Sequence, residues 1–417
     1  MNKPPQQTIA LSENNKVQEE LGKGSGLSIV ILVDLLIEQA HHMRASDIHI
    51  VPLDGGTRVR LRIDGVLQDQ HTFPEDLHSE IITRIKILSG LRTDEHQTAQ
   101  DGRFRTFIGV GTSMPIDVRV SITPTYYGEN AVLRLLSDKA EDYTLETLGF
   151  SPENQKKIMQ AIRRPYGMIL ATGPTGSGKT TSLYTLLKTL NTPQVAIITI
   201  EDPIEYAISG IEQIQVNSRT GLTFANGLRS ILRQDPNIIM VGEIRDRETA
   251  GIAVNTALTG HLLLSTLHTN DAATTLPRLL DMGIEPYLIA STVNVAMGQR
   301  LVRKICEHCR VKKNLTAAET ASLKDVLPKK ARKPLVFFEG TGCTNCNKTG
   351  YRGRVGIQEV MLIDAPIREA ILRKATAGEL KKIAAGKQGM TSMLEDGFDK
   401  AMAGITTIEE ILRMLHE

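Results

Sequence analysis

The chain has 417 residues, 41% of them hydrophobic and 23% charged, with a formal net charge of +2. That length suggests two or three domains of ordinary globular composition, and so small a charge gives no compositional support to a nucleic-acid binder or a membrane-surface protein. The longest apolar run, residues 29–37, is broken by Asp34 and is too short to span a bilayer. The N-terminus has no apolar signal core. A cytosolic protein is expected.

In chain order, residues 1–26 are polar, carry two prolines and a glycine-rich stretch, and read as a flexible tail. Residues 27–43 read as a helix. Arg58-Val59-Arg60-Leu61-Arg62-Ile63 alternates charged and apolar residues, as a half-buried strand does. Similar runs follow at 116–120 and 131–136, with a helical stretch near 79–91 between the first and the second. An α+β domain over 27–136 is predicted. The charged stretch 137–143 reads as a linker. From 144 onward apolar runs at 167–172, 195–200, 237–242 and 262–266 alternate with helical segments. That pattern predicts an α/β domain with a parallel sheet. A cysteine segment at 301–356 and closing helices from 367 to 416 complete the second domain, 144–417.

Residues 173–180 read Gly-Pro-Thr-Gly-Ser-Gly-Lys-Thr, the phosphate-binding pattern G-x-x-x-x-G-K-[ST]. An apolar strand precedes it, and a breaker-free helical stretch follows. Gly173, Thr175, Gly176, Ser177, Gly178, Lys179, Thr180 and Thr181 are therefore candidate ATP-binding residues. The glycines let backbone N–H groups turn toward a phosphate at the positive end of the helix. Lys179 would reach the β- and γ-phosphates, and the Thr180 hydroxyl would take Mg²⁺.

Downstream, Gly242-Glu243 ends an apolar strand, the place for an acid that holds the metal's water shell or the attacking water. Glu201, Asp202 and Glu205 crowd another strand end. Their readings are a metal-linked or water-activating role and a solvated turn. His261 and His268 flank the strand at 262–266 and could sense a γ-phosphate or serve structure alone. Arg229 and Arg233 lie four apart on one helix face; Arg119 and Arg134 lie in the first domain. The planar guanidinium fork suits phosphate oxygens, and solvated surface arginine is the plainer reading. Cys306, Cys309, Cys343 and Cys346 are the only cysteines and form C-x₂-C, 33 residues, C-x₂-C. Four thiols in two pairs point to a structural tetrahedral Zn²⁺ site. A nucleic-acid-binding zinc ribbon and a redox pair are the alternatives.

Taken together, these segments resemble the secretion ATPase superfamily of type II secretion and type IV pilus assembly motors. The resemblance runs from residue 27 through Ala45-Ser46-Asp47-Ile48-His49, Gln100-Asp101-Gly102-Arg103-Phe104, Asp202-Pro203-Ile204-Glu205, Gly242-Glu243 and the histidine box at 259–271. The tetracysteine segment followed by Thr349-Gly350-Tyr351-Arg352-Gly353-Arg354 resembles the assembly branch rather than the retraction branch. The resemblance implies a RecA-like motor domain preceded by a PAS-like α+β domain, working as a homo-hexamer on ATP with Mg²⁺. It implies Glu201 and Glu243 as catalytic acids, and Arg119, Arg134, Arg229 and Arg233 as phosphate contacts. It further implies a place peripheral to the inner membrane, through a platform protein of a pilus or secretion machine; no nucleic-acid partner is expected, since low net charge and sparse aromatics weigh against one. Only the short tail precedes the first shared domain. Docking without the extra N-terminal domain of longer assembly ATPases is therefore expected through that tail or the motor face. A retraction motor is the alternative within the family.

Overall fold

Alternation of buried and more exposed residues along the early strands builds a one-sided sheet. The computed structural model describes residues 16–108, 114–137, 143–315 and 335–416. Residues 1–15 of the expected tail and most of the expected linker lie outside the described residues. The described chain forms, in the main, two compact units divided between Lys139 and Ala140.

The first unit carries α1 (Ile29–His42), β1 (Ala45–Leu53), β2 (Gly56–Ile63), β3 (Val66–Phe73), α2 (Asp76–Leu88), β4 (Gln100–Ile108), β5 (Met114–Thr125) and β6 (Gly128–Ser137). The strands form one antiparallel sheet ordered β3-β2-β1-β6-β5-β4. Ile116, Val118, Val120 and Ile122 of β5 are buried with Ile48, Leu61 and Leu133, in one core with Leu36, Ile37, Ile81 and Ile85 of the two helices. Intervening residues, Arg60, Arg62, Asp117 and Arg119 among them, fall on the other face. Residues 16–21, expected within the tail, are helical, and Val17 is buried in this core. One valine and Leu21 among polar neighbours leave too weak a period to show in the sequence.

The second unit begins with α3 (Pro152–Ile162), β7 (Gly167–Thr172), α4 (Lys179–Leu190), β8 (Ile197–Glu201), β9 (Glu212–Gln215), α5 (Phe224–Ile231), β10 (Ile238–Val241), α6 (Arg247–Leu258) and β11 (Leu262–Leu267). It continues through α7 (Thr275–Asp281), α8 (Pro286–Thr292), β12 (Val293–Ile305), β13 (Arg310–Lys313), β14 (Phe337–Gly340) and β15 (Tyr351–Leu362). Four helices follow: α9 (Ala365–Leu372), α10 (Ala377–Gln388), α11 (Met393–Met402) and α12 (Ile408–His416). The main sheet is ordered β15-β12-β7-β11-β10-β8-β9. It is parallel except for β15, which runs antiparallel to β12. The four predicted strands are there, as fully buried β7, β8, β10 and β11.

The flanks of the cysteine segment are strands: β12 and β15 pair over most of their length and extend the sheet beyond β7. Arg300, Arg303 and Lys304 break the apolar run of β12 and disguise it. Among the described residues, no helix is long and apolar enough to cross a membrane.

Candidate active site

β7 lies between β11 and β12, while the chain leaving it through α4 enters β8 on the far side of β10. Loops leaving the carboxyl ends of such strands part from one another, and ligand sites form in that crevice. The phosphate-binding sequence occupies this place. Gly173, Gly176 and Gly178 have φ of 145°, 78° and 87°, in the region that disfavours a Cβ. A Cβ on Gly173 would lie 2.3 Å from the Gln299 carbonyl oxygen, and one on Gly178 would lie 2.7 Å from Gln299 Nε2.

Gln299 on β12 is the brace beneath the loop. Its Nε2 donates to the Ser177 carbonyl and its Oε1 accepts from the Ser182 hydroxyl, both at 2.8 Å. Thr175 and Gly176 stand exposed at the crown, while Thr180 and Thr181 in the first turn of α4 are half-buried. The Ser177 hydroxyl is buried with no hydrogen-bond partner among the described residues. A glycine cradle at a helix start, with an orphaned hydroxyl, fits a bound phosphate chain. Lys179 folds back over the loop and donates to the Gly173 and Pro174 carbonyls at 2.8 and 2.9 Å. Burial lowers its pKa, and the nearby Glu243 carboxylate opposes that shift.

Glu243 follows β10. The Gly242 N–H donates to the Ile200 carbonyl at 2.8 Å, and Thr266 Oγ1 donates to the Gly242 carbonyl at 2.8 Å. The turn is thereby pinned between β8 and β11. Arg245 reaches Glu243 Oε1 at 2.6 Å, and His268 Nε2 lies 2.9 Å from Oε2. The sequence reading missed Arg245, although it stands two residues beyond Glu243.

Glu201, at the end of β8, is buried. It accepts from Thr199 Oγ1 at 2.6 Å, from Gln213 Nε2 at 3.2 Å and from the Tyr184 hydroxyl. Desolvation raises its pKa against the pull of these donors. None of the three partners carries a motif that would have announced it.

The two histidines part company. His268 is at the carboxyl end of β11 beside Glu243. His261 is at the amino end, its Nδ1 3.2 Å from the Thr256 carbonyl oxygen. Six extended residues separate them by roughly 20 Å, so the structure does not bring His261 to the loop. Arg229 binds Glu248 Oε1 at 2.6 Å and Asn226 at 3.1 Å, while Arg233 donates to the Arg229 carbonyl at 2.9 Å. Both hold positions on the α5 side of the sheet.

In the first unit, register lines up Arg62, Asp47, Arg134, Arg119 and Arg103 across β2, β1, β6, β5 and β4. Arg134 Nε donates to Asp47 Oδ1 at 3.0 Å, and Arg62 Nε lies 3.5 Å from Oδ2. Asp47 thus sets the direction of Arg134.

The Sγ atoms of Cys306, Cys309, Cys343 and Cys346 all lie within 4.8 Å of one another. None of the four is in a disulfide, and the Cys343–Cys346 sulfur separation is 3.8 Å. Tetrahedral Zn–S bonds of about 2.3 Å require sulfurs about 3.8 Å apart, so the donor set fits zinc.

A family model described as "Type II/IV secretion system protein" matches residues 23–413. The chain belongs to this family. It is 47% identical over 382 residues to the "Type IV pilus assembly ATPase PilB" of Thermus thermophilus, covering 91% of this chain and 42% of that one. It therefore spans less than half of that relative. It is 44% identical over 402 residues to the "Type II secretion system protein HxcR" of Pseudomonas aeruginosa, covering 96% and 80%. The crystal structure of "the Pilus Retraction Motor PilT and Bound ADP" superimposes with a TM-score of 0.61 at 26% identity, covering 91% and 95%. The Legionella pneumophila ATPase DotB shares the fold, with a TM-score of 0.67 at 23% identity and coverage of 93% and 95%.

Proposed function

We propose that this chain binds Mg²⁺ and ATP, hydrolyses the nucleotide as one subunit of a homo-hexamer, and drives assembly of pilin-like subunits of a type IV pilus or type II pseudopilus. The observation that carries the reading is Glu243, held by His268 and Arg245 at the strand end that faces Lys179. The bound nucleotide supplies the phosphoanhydride to be cleaved, and Mg²⁺ neutralises its charge. Lys179 binds the phosphate oxygens, the Thr180 hydroxyl holds the metal, and backbone N–H groups of the loop orient the chain. Glu243 orients the attacking water and takes its proton, with His268 and Arg245 fixing the carboxylate. Glu201 is the second catalytic acid. Its raised pKa suits a proton-holding role better than a metal-holding one. Arg119, Arg134, Arg229 and Arg233 stabilise charge on the phosphates as subunits close. The four cysteines hold one structural Zn²⁺.

Assembly rather than retraction is favoured by identities of 44–47% to proteins named for type II secretion and pilus assembly, against 26% to the retraction motor. The partner is an inner-membrane platform protein, met from the cytoplasmic side. Two measurements test the reading. Glu243→Gln keeps nucleotide binding and loses turnover; near-normal hydrolysis in that variant removes the catalytic assignment. Deleting the gene leaves cells without the fibre; more or longer fibres identify a retraction motor instead.

A further inference from the structure

Glu359 is a fully buried carboxylate on the antiparallel edge strand β15, outside the residues given a role above. Its two oxygens face different elements. Oε1 accepts from the Ala272 N–H at 2.9 Å, in the loop that carries His268 away from β11. Oε2 accepts from the Met393 N–H at 3.2 Å, the first residue of α11. Lys381 of α10 lies 3.7 Å from both Glu359 Oε2 and Asp271 Oδ2.

The same loop is tied on its other side to the phosphate loop. Thr172 Oγ1, one residue before Gly173, donates to the Thr269 carbonyl at 2.7 Å and accepts from the Thr269 N–H at 3.0 Å. Sheet register makes this one continuous row. Leu267 stands opposite Thr172, Thr172 opposite Gly298, and Gly298 opposite Glu359. Gly298 is the opening through which the carboxylate reaches Ala272. A Cβ there would lie 2.9 Å from Ala272 N and 3.0 Å from Glu359 Cγ. A buried carboxylate is costly unless several donors satisfy it. The sheet leaves a side chain out at Gly298, and two backbone donors converge on the carboxylate.

We infer that Glu359 is a positioning residue for hydrolysis: it holds the 268–272 loop so that His268 stays on Glu243, and it ties that loop to the start of α11. A shift of His268 then pulls on Ala272, Glu359 and the α11 N-terminus in turn. The carboxylate is the coupling element because its two oxygens bond the loop and the helix at once. A carboxamide keeps the shape but has one accepting oxygen, so it satisfies one of the two N–H groups and turns a donor on the other.

The inference rests on the proposed roles of His268 and Glu243, so the experiment compares Glu359→Gln, His268→Ala and the double variant in the full chain. Glu359→Gln is expected to lower kcat about ten-fold while ATP KM changes by less than about two-fold, the split expected when an interaction serving turnover alone is lost. In the His268→Ala background the same change should cost nothing further, since both act through one loop. Full turnover in Glu359→Gln, an additive loss in the double variant, or a KM that rises as melting temperature falls overturns the inference. Should Glu359→Gln not fold, Gly298→Ala decides. Its methyl meets both Ala272 N and Glu359 Cγ and forces the two apart without removing the carboxylate; lost turnover at unchanged ATP affinity supports the inference, whereas normal turnover overturns it. Full turnover in His268→Ala sinks the reading beneath it as well, whereas loss there with none in Glu359→Gln sinks this inference alone.

Discussion

Replacing Gln299 with Met tests whether the phosphate loop is shaped from below. The two side chains are close in length, and the site is 1% exposed, so the change removes hydrogen bonds with little change of volume. The Ser177 carbonyl loses its donor, and the Ser182 hydroxyl loses its acceptor. An unsatisfied buried group costs about 1–3 kcal/mol. The Ser182 hydroxyl can turn to the Gly178 carbonyl four residues back, as helical serines do, so its share falls at the low end. The sum is about 2–4 kcal/mol. At about 2–4 °C per kcal/mol for a domain of this size, the motor unit should melt about 4–16 °C lower. Without its brace the loop samples other backbone states, so ATP affinity should fall as well. Differential scanning calorimetry with and without nucleotide, beside an ATP titration, measures both. A melting temperature within about 1 °C of the parent, with unchanged affinity, refutes the reasoning; so small a shift corresponds to less than about 0.5 kcal/mol.

Metal analysis of freshly purified protein should find about one zinc per chain. Replacing Cys306 and Cys309 with Ser should release it and loosen the β13–β14 hairpin, because structural zinc supplies on the order of 10 kcal/mol of apparent binding free energy; protein that never carries zinc would refute the site. The first unit should weaken on acidification through His71, whose Nδ1 accepts from Gln18 and whose Nε2 bonds Gln39. Burial pushes its pKa from 6.5 down to about 4. The unfolded chain therefore takes up the proton first, and stability present above pH 6.5 drains away as pH falls toward 4, by about 3 kcal/mol in all. Burial lowers the pKa of His41, His49 and His78 in the same direction. Urea denaturation across that range should show a shallower slope in His71→Phe, and an unchanged slope would assign the effect to the other three.

The candidate site was legible where chemistry is contiguous in the chain. Strand, glycine loop and helix occupy one stretch, and the acid proposed for catalysis closely follows an apolar strand. Legibility ended where partners come from distant elements. Gln299 lies 122 residues from Ser177, its hydrogen-bond partner, and glutamine within a strand has no pattern of its own. Tyr184 reads as a helix-core aromatic until β8 brings Glu201 to it. The two histidines look equivalent in sequence, and only strand direction separates them.

By itself, then, the sequence determined the two kinds of unit, the phosphate loop, the four-thiol set and the acid after β10, because each depends on local periodicity or on short spacing. The tertiary structure decided which side chains meet: Gln299 under the loop, Asp47 against Arg134, and Glu359 reaching Ala272 through the gap at Gly298. These contacts follow from strand order and register, which arise from burying one face of the first sheet and both faces of the main sheet at once. No window along the chain contains that condition.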